Sequence, residues 1–247
     1  MNPNAFATLP LTPTFLANLD TLGYHEMTTI QAQSLPPVLE GRDLIAQAKT
    51  GSGKTAAFGI GILHKLNPAW FAVQGLVLCP TRELADQVAN ELRRLARGEG
   101  NIKVLTLTGG APMRPQIASL EHGAHIVVGT PGRIRDHLGR GTITLSHVQT
   151  LVQRRQTLLF SATYPDDIRR ATELFLINPV EIKVEAQHTG DAIEQRFYEV
   201  GFDERDHAVG RLLKHFQPAS TLAFCNTKVH CQELADELRS QGFSALA

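Results

Sequence analysis

The sequence predicts an α/β protein: a parallel sheet covered by helices on both faces, followed by the start of a second unit of the same kind. Two observations predict it. Short apolar runs alternate with helix-period segments along most of the chain, and strands joined by crossover helices form parallel sheets buried on both sides. A glycine-rich octapeptide, Ala48-Lys49-Thr50-Gly51-Ser52-Gly53-Lys54-Thr55, falls between the first apolar run and a helical segment. Bulk composition agrees. The 247 residues are 43% hydrophobic and 19% charged, which suits a soluble globular chain of one large domain or one and a fraction.

Taken in order, Asp43–Ala48 reads as a strand and Lys54–Leu66 as a helix. Gln74–Cys79 is the next strand and Arg82–Ala96 the next helix. Lys103–Leu107 and His125–Val128 read as strands separated by a helix near Met113–Glu121. Gln156–Phe160 is a further strand, followed by a helix over Pro165–Phe175. Each strand is a short apolar run and each helix a longer amphipathic one. A second unit is expected to begin after Asn178-Pro179. The polar stretch Glu185–Asp191 contains Gly190 and reads as a linker, which sets expected domains of 1–185 and 194–247 joined by 186–193. In the second unit, strand Glu194–Val200, helix Asp203–His215, strand Thr221–Cys225, helix Lys228–Ser240 and a strand start at Phe243 are expected. A fragment of this size buries little surface and is marginal alone.

Charge excludes little. Lys+Arg and Asp+Glu are both 24, so any contact with nucleic acid must come from local sites, not from a basic balance. Cys79, Cys225 and Cys231 form neither a metal-ligand spacing nor an even disulfide set, which fits a reducing cytoplasm. Met1–Thr12 has no basic region followed by an apolar stretch, so no signal peptide is expected. No apolar run is long enough to span a bilayer, and no membrane partner is expected.

The octapeptide has the context of a P-loop. Gly51 and Gly53 let the backbone curl so that several N–H groups face one anion, and the following helix N-terminus adds partial positive charge. Lys54 is placed to reach β/γ-phosphates and the Thr55 hydroxyl to bind Mg²⁺. The first position of the pattern, usually Gly, is Ala48. Upstream, Gly23-Tyr24 precedes Thr28-Thr29-Ile30-Gln31. A glutamine amide offers both donors and acceptor, so Gln31 can pair with an adenine edge while Tyr24 stacks on the base. A capped surface helix with Gln31 solvated is the alternative reading of that segment alone.

Together these segments resemble the DEAD-box RNA helicases. Gly23–Gln31 resembles the Q motif, with Phe6 at the place of the isolated upstream aromatic. Ala48–Thr55 is similar to motif I, and Pro80-Thr81-Arg82-Glu83-Leu84 to motif Ia. Gly109-Gly110 is similar to the paired-glycine motif, Thr130-Pro131-Gly132-Arg133 to motif Ib, Ser161-Ala162-Thr163 to motif III, and Ala223–Thr227 to motif IV of a second domain. The matches occur in family order. The resemblance implies a RecA-like P-loop domain over 1–185 and the start of a second RecA-like domain. It implies ATP and Mg²⁺ as cofactors, and Phe6, Tyr24, Gln31 and Ala48–Thr55 as the nucleotide site. Pro80, Thr81, Arg82, Gly109, Gly110, Thr130, Pro131, Gly132 and Arg133 are implied as contacts to the RNA sugar-phosphate backbone. Ser161 and Thr163 are implied to couple nucleotide state to unwinding. A monomeric, cytoplasmic motor acting on single-stranded or short duplex RNA is the expectation. Flanking text such as Gln47-Ala48-Lys49 and Gln217–Ser220 is similar to the bacterial DEAD-box protein A subgroup, which implies 23S ribosomal RNA of the large subunit as target. A DNA translocase fits less well, because the Gln31 segment and Pro80–Leu84 look like the RNA family.

One family element is missing. Asp-Glu-Ala-Asp is expected on a strand between motifs Ib and III, yet Thr150-Leu151-Val152 runs directly into Gln153-Arg154-Arg155-Gln156-Thr157. Asp136 is the only acid between Arg133 and Ser161. In the family those acids hold Mg²⁺ and orient the attacking water, and phosphoryl transfer depends on that positioning. Turnover by this chain is therefore in doubt, and a catalytically dead ATP- and RNA-binding module is the alternative function. The shortened connection also has a structural consequence. A parallel neighbour needs a crossover of about a dozen residues or more, so His147–Val152 is expected to fray or run straight into the next strand. Nothing after Thr227 resembles motifs V and VI.

Overall fold

The computed structural model describes residues 2, 4–148, 155–184, 194, 196–201 and 204–247. Its contacts divide the chain into two compact units, Met1–Gln187 and His188–Ala247.

The first unit carries strands β1 (Leu44–Gln47), β2 (Gly75–Leu78), β3 (Val104–Leu107), β4 (Ile126–Gly129), β5 (Leu158–Ser161) and β6 (Val180–Lys183). Its helices are α1 (Pro13–Thr21), α2 (Thr29–Leu39), α3 (Lys54–Lys65), α4 (Arg82–Leu95), α5 (Met113–Glu121), α6 (Pro131–Gly139) and α7 (Asp166–Thr172). All strand pairs are parallel, as the alternation predicts. The described strands form two three-stranded sheets, β5-β1-β6 and β2-β4-β3, rather than one continuous sheet. Strands β2 and β5 are edge strands of their sheets. These strands are less buried than the sheet centres: Ile126–Gly129 is wholly buried, whereas every residue of β5 is half-exposed and Leu78 at the end of β2 is 55% exposed.

Helix α3 ties the sheets together. Phe58 packs on Phe160 of β5 with ring centroids 5.5 Å apart. Ile62, one turn later on the same face, lies against Gly75 at the start of β2. Helix α4 shows why its sequence folds so. Thr81 caps it by accepting from the Leu84 N–H, and Ala85, Val88, Ala89, Leu92 and Leu95 form one buried stripe. Leu92, Leu95 and Ile60 are fully buried, each contributing about 1.5–3 kcal/mol of transfer free energy.

Boundaries agree with the sequence to within a residue or two for most elements, and three elements were not anticipated. Helix α6 begins at Pro131-Gly132; Thr130 precedes it as N-cap and Pro131 occupies N1, where its missing N–H costs nothing. Helix α1 likewise carries Pro13 at its start, after the Thr12 cap. Strand β6 follows Asn178-Pro179 but returns to pair with β1, so the first unit continues past the point where a second was expected to begin.

Strand β5 keeps its place beside β1, with Leu44 opposite Leu158. His147 and Val148 lie in a turn, and the remainder of the expected frayed segment, 149–152, lies outside the described residues, as does the expected linker 186–193.

Within the second unit, α8 (Arg205–Phe216) and α9 (Lys228–Ser240) form as expected. They approach closely where Gly210 meets the side chain of Gln241. The strands expected at Glu194–Val200, Thr221–Cys225 and Phe243 are not formed among the described residues. A strand needs a partner for its backbone groups, and these segments have none among those residues; Phe197 and Phe224 are both 90% exposed. Among the described residues no helix is long and apolar enough to cross a membrane.

Candidate nucleotide and nucleic-acid sites

Two constellations lie at the carboxyl ends of the strands, the edge where open α/β sheets bind ligands. The first surrounds the turn between β1 and α3. Gly51 and Gly53 adopt φ +80° and +94°, a left-handed conformation that glycine takes freely. Gly53 caps α3 without a side chain, so the first-turn N–H groups, which have no intrahelical acceptor, are left for an anion. Ser52 Oγ is buried with no hydrogen-bond partner among the described residues. Lys54 folds back on its own loop, its Nζ donating to Ala48 O at 2.6 Å and Lys49 O at 2.7 Å. Burial holds the Lys54 ammonium below the usual lysine range. A lysine satisfied only by backbone carbonyls, a buried hydroxyl with an open valence and uncapped amides together form a donor set that fits a phosphate chain. Thr55 supplies one hydroxyl beside them, and among the described residues no cluster of three His, Cys, Asp or Glu side chains is placed to hold a metal ion.

Gln31 is buried, and both ends of its amide are engaged. Its Oε1 accepts from the Thr28 N–H at 2.9 Å and its Nε2 donates to Gly53 O at 3.1 Å. The expected adenine reader thus ties the capping box of α2 to the glycine-rich turn. Thr28 adds a second tie, its hydroxyl donating to Ser52 O at 2.8 Å. The cleft here, lined by Thr28, Thr29, Ala48, Lys49, Ser52 and Val184, has a volume of about 200 Å³. Tyr24 donates its hydroxyl to Glu91 at 2.6 Å, and burial together with that carboxylate pushes its phenol up to about 12. Phe6 is 3% exposed and meets the Tyr24 ring edge-on at 6.1 Å. No face of Phe6 is open to a base, and neither Phe6 nor Tyr24 lines the cleft.

Substituting Gly53 tests this junction. A Cβ there would stand 2.5 Å from Gln31 Nε2 on a backbone already at φ +94°. Gly53→Ala is expected to cost about 1–3 kcal/mol, read by thermal unfolding; an unchanged Tm would mean that the turn does not hold this conformation.

Motif III residues meet the same turn. Ala48 N–H donates to Ser161 O at 3.0 Å, and Gln47 Nε2 donates to Ala162 O at 3.2 Å. Thr163 N–H donates to Ser161 Oγ at 3.3 Å. The turn after β5 is thus bonded directly to the root of the glycine-rich loop. Gln47, which sequence reading singled out only as flanking text, supplies half of that link.

The second constellation gathers residues after β2, β3 and β4. Arg82 follows β2 and its guanidinium lies over Gly109-Gly110; a Cβ on Gly110, at φ +81°, would collide with it. Arg133 follows β4 and donates through both Nη atoms to Ala111 O at 3.0 Å. Two arginines from separate strands therefore converge on one turn after β3, as their order in the sequence implied. Pro80 and Thr81 lead into α4, and Thr130, Pro131 and Gly132 open α6 with its first-turn N–H groups facing the same edge. Sequence reasoning missed Gln116, which accepts from Arg133, and His137, which bonds to the same Gln116 oxygen. Only His137 carried a signal: it lies one helical turn beyond Arg133.

Comparison with known proteins follows this geometry. The DEAD/DEAH box helicase model matches residues 28–153. The ATP-dependent RNA helicase DbpA of Escherichia coli (strain K12) is 47% identical over 268 residues, covering 98% of this chain and 59% of that protein. The DEAD-box ATP-dependent RNA helicase CshA of Geobacillus kaustophilus is 40% identical, covering 97% of this chain and 56% of its own. The chain thus spans little more than half the length of these relatives. Among solved structures, a DEAD box protein from the hyperthermophile Methanococcus jannaschii superposes with a TM-score of 0.69 at 36% identity, covering 98% of this chain and 72% of that one. S. cerevisiae Dbp5 L327V bound to RNA and ADP BeF3 gives a TM-score of 0.75 at 24% identity, covering 97% and 68%, and speaks for the fold.

Proposed function

Because the chain belongs to the DEAD/DEAH box helicase family, we propose that its first unit binds ATP on the Gly51–Thr55 turn and the backbone of RNA on the Arg82–Gly110–Arg133 face. The observation that carries this reading is the glycine-rich turn: two glycines at positive φ, an uncapped helix start, an unpartnered Ser52 hydroxyl and a lysine held only by its own loop. On nucleotide binding Lys54 exchanges two backbone carbonyls for phosphate oxygens. Gln31 and Tyr24 face the adenine side, with Gln31 exchanging its Gly53 bond for the base. Mg²⁺ arrives with the triphosphate, since small hard cations keep water and phosphate ligands and need few from protein; Thr55 adds one oxygen. The bonds from Ser161 and Ala162 to Ala48 and Gln47 carry the state of this turn to β5.

Hydrolysis is a separate matter. The alignment with the E. coli relative covers 268 positions against 247 residues here, so at least 21 positions face no residue of this chain. The family match ends at 153, where the sequence passes into Gln153-Arg154-Arg155. These observations support an ATP-gated RNA-binding module of helicase ancestry with negligible turnover. RNA-stimulated phosphate release is expected at background level while fluorescent ATP still binds. Turnover comparable to that of intact relatives would show that another acid has taken the missing role. Stimulation or binding by duplex DNA as strong as by RNA would turn the reading toward a DNA translocase. Large-subunit ribosomal RNA, 23S, is the target proposed from the subgroup resemblance, and a monomer in the cytoplasm is the proposed state.

A further inference from the structure

Beneath the Gly109–Ala111 turn lies a closed set of polar contacts that the proposed RNA site does not by itself require. Gln116 of α5 and His137 of α6 are 9% and 0% exposed. Gln116 Nε2 donates to Thr108 O at 3.1 Å. That bond fixes the amide orientation, because a carbonyl needs a donor. Gln116 Oε1 therefore faces Arg133 Nη1 at 2.9 Å and His137 Nε2 at 3.1 Å, and accepts from both. His137 Nε2 must carry the proton, while Nδ1 lies 2.8 Å from the Thr142 hydroxyl, which also donates to His137 O at 3.1 Å. Burial first, and then the Arg133 charge, hold His137 below its ordinary value, with Arg140 adding to this and Asp136 opposing it. Both influences favour the neutral imidazole.

We infer that Gln116, locked by His137 and Thr108, is a positioning residue that aims Arg133 and the Gly109–Ala111 turn at a polyanion backbone. The inference rests on the RNA reading of Arg133. Without Gln116 the guanidinium keeps only Ala111 O, and its fork is free to turn on that one oxygen. An arginine with five donors in a rigid fork gives a directed phosphate contact only when the unused donors point the right way. Here one side of the fork is occupied from below by buried groups, so the other side faces outward in a single orientation.

The test uses the full chain with a labelled single-stranded RNA oligonucleotide and a non-hydrolysable ATP analogue, at a series of salt concentrations. Gln116→Leu is expected to weaken RNA binding about 10-fold. It is also expected to flatten log Kd against log salt by about 0.7, one phosphate contact on a single strand. Gln116→Glu, which keeps an acceptor for Arg133 and His137, is expected to retain the parent slope. In an Arg133→Ala background, Gln116→Leu is expected to change affinity less than two-fold, since the two act through one contact. General destabilisation would alter neither the slope nor this coupling. If the parent chain binds RNA while Gln116→Leu leaves affinity and slope unchanged, or if the two substitutions add fully, the positioning role is wrong. The Arg133 Nε–H resonance of the RNA-free protein is a second readout. A sharp signal that broadens or shifts in Gln116→Leu supports the inference even if the oligonucleotide fails to bind, an outcome that would instead overturn the RNA reading. An unchanged signal overturns the inference.

Discussion

Lys54→Ala is expected to lower affinity for a fluorescent ATP analogue by at least about 100-fold. Lys54 is the one side-chain cation that the glycine-rich turn holds against its own backbone, through Ala48 O and Lys49 O. Those two carbonyls lose a donor when Lys54 moves to phosphate; Lys49 is exposed, so water can replace the donor there, whereas Ala48 is buried. The phosphate contacts that replace them are charge-assisted, each worth roughly 1.5–3 kcal/mol. Two such contacts make about 3–6 kcal/mol, and each 1.4 kcal/mol is tenfold in affinity. The pH dependence has a definite sign. Because burial depresses the folded ammonium, the unfolded chain keeps its proton to higher pH than the folded one. Folding therefore releases a proton between the folded and unfolded values; the cost of burying the charge is full below the folded value and vanishes above the unfolded one. Bound phosphate reverses the depression, so nucleotide affinity is expected to fall as pH rises past the depressed value, and this fall is expected to vanish in Lys54→Ala. Unchanged affinity in the variant would remove the assignment of the nucleotide to this turn.

Much of this was legible in the sequence because the relevant signals are local. The octapeptide sits between an apolar run and an amphipathic one, and the structure places Gly51 and Gly53 at positive φ between β1 and α3. Arg82, Gly109-Gly110 and Arg133 each follow a short apolar run, so a parallel sheet brings them to one edge without further information. What was not legible depended on partners distant in sequence. Gln31 was read for what its amide offers a base, but Gly53, 22 residues on, holds that amide in this structure. Phe6 was assigned by position in a pattern, yet its ring is in the core because α1 and α4 close over it. The strands of the second unit have the right composition and lack a described neighbour to bond to. Gln116 was an unremarked polar residue in a helix until α6 brought Arg133 and His137 onto the same oxygen.

Strand β5 keeps its place beside β1, and the contacts that hold it there point to the second large effect. Asp43→Ala is expected to destabilise the first unit by about 2–6 kcal/mol. Asp43 is 8% exposed, one residue before β1. Its two oxygens accept from the Thr157 N–H at 2.9 Å and the Ile177 N–H at 2.7 Å. Those donors belong to the entry of β5 and to the turn before β6, so one carboxylate fixes the start of both neighbours of β1. Gln156 reinforces the β5 side, donating to Val38 O and Arg42 O at 2.9 and 2.7 Å while accepting from Lys65 at 2.6 Å. In an uninterrupted parallel sheet the next strand would help to hold β5. Among the described residues β5 pairs only with β1, so its register depends on this cluster. Removing the carboxylate leaves two partly buried N–H groups without acceptors, at roughly 1–3 kcal/mol each, against a total stability of about 5–15 kcal/mol. For a unit of this size each kcal/mol lowers Tm by about 2–4 °C, so a drop of roughly 4–24 °C is expected in a thermal scan. Asp43→Asn keeps one acceptor and is expected to fall between. A change of less than 1 °C in Asp43→Ala would show that β5 is held by something other than this carboxylate, and the anchoring role would have to be given up.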